Sequence, residues 1–339
     1  MQNSIKLNFY SIGVMVTSST VEVIDKLKND FSYFIVNDFK QTDKIFSLEI
    51  EQGEYQDKIP TDQVVKKQTE NSLYYDVGDI RYNDYYGKAL SIMDYQHEAA
   101  KVYFVDQDFI HELAYLMILS RTGKLLDQKG MHKIHACGVH RDGKNLIFMM
   151  PSKGGKTTLF AQMISDEKID IISDDTPIIT QKGEVLPFPL RIGSESKKFL
   201  QDIFPYIQDE DLVLFERISY SKKYLLGLTK LKNKIHAGKK NILVVGFRSS
   251  FKTPVIKKIG SMKMLKHTLE HMVVGIGLPM IVEYFLRNNF KDHIVNFSIF
   301  LSRLRAAVNL VFFSENYEIY CSSDINLNKQ MMVELLNER

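Results

Sequence analysis

Residue types suited to binding a nucleotide phosphate stand together between positions 150 and 159. Gly154 and Gly155 let backbone N–H groups close around phosphate oxygens, and Lys156 places a positive charge beside the β- and γ-phosphates. The hydroxyl of Thr157 is a ligand type that Mg²⁺ accepts next to them. The predicted nucleotide-binding residues are Ser152, Lys153, Gly154, Gly155, Lys156, Thr157 and Thr158.

The loop departs from the common pattern G-x-x-x-x-G-K-[ST] at its first position. Met150 stands where that pattern has glycine, and Lys153 lies within the loop. The chain must therefore enter the turn in a different way. A Gly-Gly-Lys turn that merely joins a strand to a helix is the alternative interpretation of the same residues.

Two adjacent carboxylates, Asp174 and Asp175, follow the apolar run 169–172, which we predict to be a buried strand. An unpaired carboxylate is costly to bury, so the pair should face water, a metal ion or a cation. An exposed turn that holds two aspartates is the alternative. Upstream lies His135, although a lone histidine is more commonly a packing or surface residue.

The elements around the loop have the order that phosphate binding requires. Residues 145–150 form an apolar run that predicts a strand, and residues 157–164 suit a helix. Unpaired N–H groups and the helix dipole favour an anion at such a helix start. Asp142 and Gly143 predict a hairpin turn, which joins this strand to a neighbouring strand that carries His135.

His135, the hairpin, the loop from Ser152 to Thr157 and the Asp174–Asp175 pair resemble, in order and approximate spacing, the catalytic domain of HPr kinase/phosphorylase and its kinase-like relatives. Those relatives include kinases of lasso-peptide precursors. The resemblance covers roughly residues 130–200. It implies an α/β fold, a P-loop kinase domain related to the phosphoenolpyruvate carboxykinase core. It also implies transfer of the γ-phosphate of ATP to a Ser or Thr hydroxyl of a peptide or small protein.

The resemblance also gives roles to single residues. The glycine-lysine-threonine core would hold the triphosphate of ATP, and Thr157 with Asp174 would hold Mg²⁺. Asp175 would take the proton of the acceptor hydroxyl, although the sequence does not order the two aspartates. His135 would lie near the γ-phosphate or the acceptor, and Arg191 would neutralise charge on the transferred group. The expected catalytic residues are Asp175, Asp174, His135 and Lys156.

Other functions stay open at this point. The glycine-rich segment that serves phosphorolysis in the family has no clear counterpart downstream, so we expect the kinase direction. A kinase of small molecules is one alternative, and a nucleotide-binding regulatory module without phosphotransfer is another. His267, Glu270 and His271 also match the zinc-peptidase pattern H-x-x-E-H, with Glu283 as a candidate third ligand.

Length and composition indicate two domains. A chain of 339 residues, 45% of them hydrophobic, can bury a substantial core. We place an N-terminal α+β domain with a role in substrate recognition at residues 1–126. The P-loop catalytic domain would occupy residues 127–339, with a mainly helical part after Arg191 apart from a strand at 241–246.

Charge and hydropathy exclude several classes of function. A formal net charge of +3 is too small to indicate nucleic-acid binding, and two cysteines provide no disulfide framework. The longest apolar run predicted from the sequence, 272–282, is shorter than the roughly 18 residues that a membrane helix needs. The N-terminus lacks the features of a signal peptide. We therefore expect a cytoplasmic protein without a membrane partner, and the family resemblance suggests a homo-oligomer.

Overall fold

The computed structural model describes residues 3–41, 44–60, 64–151, 154–217, 220–276, 278, 284 and 290–338. Contacts between residues divide the chain into two compact units. The first unit comprises Met1–Leu126 and Pro279–Arg287, and the second comprises Asp127–Leu278 and Asn288–Arg339.

An eight-stranded sheet forms most of the first unit. Its strands are β1 (Asn3–Phe9), β2 (Ile12–Ser18), β3 (Lys44–Gln52), β4 (Lys67–Gln68), β5 (Leu73–Val77), β6 (Ile80–Asp84), β7 (Ala89–Asp94) and β8 (Ala99–Phe104). Their order is β1-β2-β3-β8-β7-β6-β5-β4. Strand β3 is parallel to both of its neighbours, and the remaining pairs are antiparallel.

One face of this sheet packs against helices. Leu7 and Phe9 of β1 are fully buried, as are Val14 and Val16 of β2, because alternate side chains of a strand point to the same face. Helix α1 (Val21–Asp30) contacts both strands and buries Leu27. Helix α2 (Gln107–Gln128) begins in the first unit and ends in the second.

A buried ion pair joins two distant parts of the first unit. Arg121 of α2 donates to both carboxylate oxygens of Glu98 and to the carbonyl oxygen of Tyr284, the latter at 2.7 Å. The Tyr284 hydroxyl lies 2.7 Å from that of Tyr85 and also contacts the hydroxyl of Ser91. Tyr284 is therefore an integral part of the first unit, although it lies far along the chain.

The second unit contains twelve of the described strands. They are β9 (Met131–Lys133), β10 (Cys137–Arg141), β11 (Lys144–Met149), β12 (Asp170–Ser173), β13 (Ile178–Thr180), β14 (Val185–Leu186), β15 (Arg191–Ser194), β16 (Leu212–Arg217), β17 (Tyr220–Gly227), β18 (Lys240–Arg248), β19 (Val255–Lys258) and β20 (Ser314–Cys321). Its helices are α3 (Lys156–Ile164), α4 (Lys197–Ile203), α5 (Ser261–Thr268), α6 (Phe290–Phe312) and α7 (Ile325–Asn337).

The main sheet of the second unit has the order β12-β10-β11-β18-β20-β19. Strands β11, β18 and β20 are parallel, whereas β10, β12 and β19 pair antiparallel with their neighbours. Two further sheets have the orders β14-β13-β9 and β15-β17-β16. The second unit is thus a mixed α/β structure, as the sequence indicates at this coarse level.

Two apolar cores cover the two faces of the main sheet. On one face, Leu146 and Phe148 of β11 pack with Leu159 of α3 and Met332 of α7. On the other face, Ile147 and Met149 pack with Leu310 and other residues of α6. This alternation fixes the orientation of β11, and therefore fixes where the loop that follows it begins.

Helices α5, α6 and α7 lie in the region after Arg191 that we predict to be mainly helical, but the prediction is wrong for residues 191–227. Strands β15 to β17 lie there, and β17 includes Lys222 and Lys223 followed by the buried Leu225 and Leu226. A short apolar run has the same appearance in a strand and in a buried helix, so periodicity alone did not separate them.

Helix α6 lies inside this predicted helical region. Among the described residues, one helical stretch, Asp292–Phe312, is long and apolar enough to cross a membrane, and 33% of its apolar window is buried. It is longer than the stretch 272–282, which we take from the sequence as the longest apolar run. Polar residues such as Asn296 and Arg303 interrupt it, which hides its length from a search for uninterrupted apolar runs.

Candidate phosphate-binding site

The predicted order of strand, loop and helix is present. Strand β11 ends at Met149, and α3 begins at Lys156 after a left-handed Gly155 with a φ of 99°. Strand β11 is an inner strand of the main sheet and runs parallel to β18, so both strands end at the same sheet edge. Ligands of α/β sheets bind at this carboxyl edge. Ser152 and Lys153 lie outside the described residues.

The backbone of the loop requires its two glycines. A Cβ atom at Gly154 would lie 2.6 Å from Cγ of Met150 and 2.8 Å from the carbonyl oxygen of Pro151. Gly155 adopts a positive φ that other residues rarely take. Met150 is buried, so the residue that replaces the usual first glycine fills the space over Gly154.

Lys156 and Asp175 form a close ion pair. Lys156, the first residue of α3, is buried, and its Nζ lies 2.6 Å from Oδ1 of Asp175. Burial alone would raise the pKa of Asp175, but Lys156 and then His135 outweigh burial and hold this pKa well below its usual range. The predicted lysine and one predicted aspartate therefore meet in the structure.

Asp174 has a different environment from its neighbour. It is buried, and its Oδ1 has no hydrogen-bond partner among the described residues. Burial and then the charge of Asp175 raise the pKa of Asp174 above its usual range. Both aspartates follow β12 in a turn that Ser173 fixes, since its Oγ donates to the carbonyl oxygen of Phe188 and accepts from the N–H of Thr176.

His135 lies beside the ion pair, but not on the strand where the sequence placed it. The hairpin has the predicted turn, with a positive φ at Asp142 and Gly143. Its first strand, however, starts at Cys137, and His135 lies between β9 and β10. The chain bends there because the N–H of Ala136 bonds to carbonyl oxygens of both Ile134 and Asp175.

The ring of His135 is fixed from two sides. Its Nε2 lies 3.2 Å from Oδ1 of Asp175, and its Nδ1 lies 2.8 Å from the carbonyl oxygen of Ile276. A carbonyl oxygen and an ionised carboxylate both only accept, so each of the two contacts needs a proton on the ring nitrogen that faces it. His135 can thus orient Asp175 while its own ring stays in one position.

Arg191 and the two threonines occupy the surroundings of this cluster. Arg191 begins β15, and its guanidinium lies 4.8 Å from the ring centre of Phe215. Its charge acts on Asp174 and opposes the effects of burial and Asp175 on the pKa of that carboxyl. Thr157 and Thr158 lie half-buried in the first turn of α3.

Two residues in this region were not assigned a role in phosphate binding from the sequence. Arg248, at the end of β18, donates from Nε to the carbonyl oxygen of Gly154 at 3.4 Å. Arg248 lies close to the loop because β18 pairs with β11, and the spacing of residues in the sequence does not show this pairing. His271 lies in a π-helical turn, Leu269–Val273, with its ring centre 5.7 Å from that of His135.

The zinc-peptidase pattern does not form a metal site in the described part of the chain. No group of three or more His, Cys, Asp or Glu residues among the described residues could hold a metal ion. His267 faces Phe247 and Glu318, whereas His271 faces His135. The change from α- to π-helix between them separates their directions. Glu283 lies outside the described residues.

The residues present fit a divalent cation bound together with phosphate. Such a site needs a hydroxyl and one carboxylate from the protein, while phosphate oxygens and water supply the other ligands. The unpartnered, buried Oδ1 of Asp174 is an oxygen of the required kind. Thr157, the residue after Lys156, carries the hydroxyl expected from the sequence. Three protein ligands are not required here, unlike in a zinc site.

Comparison with known proteins adds no further assignment, since no protein-family model and no curated protein matches the chain.

Proposed function

We propose that the second unit is an ATP-dependent kinase that transfers the γ-phosphate to a Ser or Thr hydroxyl of a peptide or small protein. The observation that carries this proposal is the meeting of Lys156, Asp175 and His135 at the end of a strand-loop-helix element. These three residues are among those to which the resemblance to HPr kinase-like enzymes gives roles in phosphotransfer. The parallel strands β11, β18 and β20 are compatible with a P-loop core of the carboxykinase type.

The positions of the cations support binding of a triphosphate. Lys156 is the first residue of α3, where unpaired N–H groups also favour an anion. Arg248 donates to the carbonyl oxygen of Gly154 and so brings a second cation to the loop. Mg²⁺, when bound by Thr157 and Asp174, would neutralise part of the phosphate charge.

Proton transfer is assigned to Asp175. While Lys156 contacts Asp175, the carboxylate is a weak base, because its pKa is held low. A triphosphate that attracts Lys156 would remove this effect and make Asp175 more basic. Asp175 would then accept the hydroxyl proton as the hydroxyl oxygen bonds to the γ-phosphorus, and the bond between this phosphorus and the β–γ bridging oxygen breaks to release ADP. His135 keeps Asp175 in position.

The first unit is proposed to recognise the acceptor, and the reaction is proposed to occur in the cytoplasm. Cys137 and Cys321 are buried free thiols, which agrees with a reducing compartment.

Binding and transfer can be tested separately. ATP–Mg²⁺ binding is measured by calorimetry, and transfer is measured with γ-labelled ATP and a library of Ser- and Thr-containing peptides. Lys156→Ala should weaken ATP binding at least tenfold, whereas Asp175→Asn should bind ATP and lose transfer. Lys168→Ala removes an exposed lysine after the same helix and serves as the matched control.

Each outcome has a distinct meaning. Wild-type transfer rates in Asp175→Asn would show that Asp175 is not the base. ATP binding without transfer to any peptide, small molecule or water would favour the regulatory module. Unchanged ATP affinity in Lys156→Ala would reject the phosphate site itself.

A further inference from the structure

A second polar cluster in the second unit contains a serine, a histidine and an aspartate in series. Nδ1 of the fully buried His132 lies 2.7 Å from Oδ1 of Asp127, and its Nε2 lies 2.7 Å from Oγ of Ser302. Asp127 lies in the last turn of α2, His132 lies on β9 and Ser302 lies on α6. None of these residues has a role in the proposed phosphotransfer.

The hydrogen bonds define the direction of proton sharing. An ionised carboxylate only accepts, so Nδ1 of His132 donates to Asp127. The lone pair of Nε2 is then directed at Ser302, whose hydroxyl donates to it. Serine hydrolases of unrelated folds activate their nucleophile with this arrangement.

Asp127 is held in its ionised form. Burial raises its pKa, but hydrogen bonds from His132 and the charge of Arg303 outweigh burial, so the pKa of Asp127 lies below its usual range. Arg303 donates to the carboxylate from Nε at 3.0 Å and from Nη2 at 2.6 Å. The aspartate can therefore hold the histidine in one tautomer.

Ser302 also lines a cavity of about 230 Å³. Its walls include Gln128, Gln181, Val295, Ser298, Ile299 and Ser302, together with Asp127. Among the described residues that line the cavity, none is cationic, and the charge of Asp127 is matched by Arg303. Such a cavity suits a small uncharged group better than an anion.

A hydrogen-bond donor stands next to the serine oxygen. Nε2 of Gln181 donates to Oγ of Ser302 at 2.6 Å. The backbone N–H of Gln181 bonds to the carbonyl oxygen of Gly130, and its carbonyl oxygen accepts from Asn309. A Cβ at Gly130 would lie 2.9 Å from Cδ of Gln181, so glycine provides the room for this side chain. An acyl group bonded to Oγ would bring its oxygen within reach of this donor, which could then stabilise the charge that develops there.

We propose that Ser302, His132 and Asp127 form a second, acyl-transferring site that accepts small uncharged esters. Oγ of Ser302 bonds to the acyl carbon while its proton passes to Nε2 of His132. The ester C–O bond then breaks, and the proton leaves with the alcohol. Water, activated by His132 in the same way, hydrolyses the acyl-serine to the free acid.

The site can be tested with p-nitrophenyl acetate and with a fluorophosphonate that phosphonylates activated serines. The intact mass of the full-length protein is measured after treatment, and the modified peptide is mapped. We expect one adduct on Ser302, no adduct in Ser302→Ala and the full adduct in Ser165→Ala, which removes an exposed serine of the second unit that does not line the cavity.

Two further variants test the partners of the serine. Gln181→Leu removes the donor at an exposed position and should slow hydrolysis of p-nitrophenyl acetate at least tenfold while the fluorophosphonate still reacts. His132→Gln should abolish both reactions, and it is compared at matched folded fraction because His132 is buried. No adduct on Ser302 in the wild type, or equal hydrolysis by Ser302→Ala, would overturn the proposal. ATP binding is measured in parallel and should not change, so this test is independent of the kinase proposal.

Discussion

At the scale of single residues, the contact between Lys156 and Asp175 combines a buried ammonium with a carboxylate whose side chain is 33% exposed. Desolvation of the lysine opposes folding, and attraction to the carboxylate offsets this cost. The partly exposed carboxylate makes the pair weaker than a fully buried one. Removal of both partners should therefore lower the free energy of unfolding by less than the sum of the two single removals.

A double-mutant cycle measures this dependence. Lys156→Met and Asp175→Asn should each lower the free energy of unfolding, and the double variant should be more stable than the sum of the two losses predicts. We expect a coupling energy of about 1 kcal/mol. Urea unfolding of the four proteins provides the free energies. Strictly additive losses would show that Lys156 and Asp175 do not stabilise each other.

His271 gives a second prediction at this scale. Burial, followed by the charges of His135 and Lys156, lowers the pKa of His271 to about 4 from 6.5. Between these two pH values the unfolded chain binds a proton that the folded protein does not bind, so stability falls as pH falls from 6.5 to about 4. His271→Gln should reduce this loss.

The comparison is made by urea unfolding at several pH values from 4.5 to 7, with His97→Gln as a control, since His97 is exposed and paired with Asp94. If wild type and His271→Gln lose the same stability as pH falls, His271 is not held neutral in the folded protein.

At the scale of elements, strand β11, its loop and α3 could be predicted from local sequence, because an apolar run, two glycines and a helix-compatible segment carry the information themselves. The hairpin turn at Asp142 and Gly143 follows equally from residue type. The position of His135 does not follow from local sequence. The bend at His135 depends on a backbone hydrogen bond from Ala136 to Asp175, which lies after β12. Arg248 reaches Gly154 only through pairing of β11 with β18, which no spacing reveals.

The loop entry leads to a third prediction. Gly154→Ala should lower the free energy of unfolding by about 1–3 kcal/mol, because the added methyl group collides with Met150 and Pro151. Combining it with Met150→Ala should restore part of the lost ATP affinity, because this removes the collision with the Met150 side chain but leaves the one with the Pro151 carbonyl oxygen. Gly193→Ala is the matched control, since its Cβ would have ordinary contacts. Equal ATP affinity in Gly154→Ala and wild type would contradict the crowding.

At the scale of the whole molecule, helix α6 has two apolar faces. Ala306 and Leu310 are fully buried against the main sheet. Phe290, Ile294 and Phe297, spaced four and three residues apart, are exposed. Only the inner face contributes to the core, so composition alone overstates how much of this helix stabilises the fold.

Matched truncations on α6 test this difference. Leu310→Ala should lower the free energy of unfolding by about 2–5 kcal/mol, because it opens a cavity in the core. Phe297→Ala should change it by about 0.5 kcal/mol or less, because its side chain is 63% exposed. Denaturant unfolding of both variants under the same conditions provides the comparison, and a large loss for Phe297→Ala would show that its face is covered in solution.

Tyr284 also constrains the order in which the protein forms during synthesis. Its carbonyl and hydroxyl groups complete the polar contacts of Arg121 and Tyr85, yet the ribosome adds it long after the eight-stranded sheet has emerged. At typical elongation rates this delay is on the order of 10–30 s. A nascent first unit must wait through that interval with Arg121 incompletely bonded, while most of the second unit is being made. The yield of correctly folded first unit should therefore depend on how fast the second unit is translated.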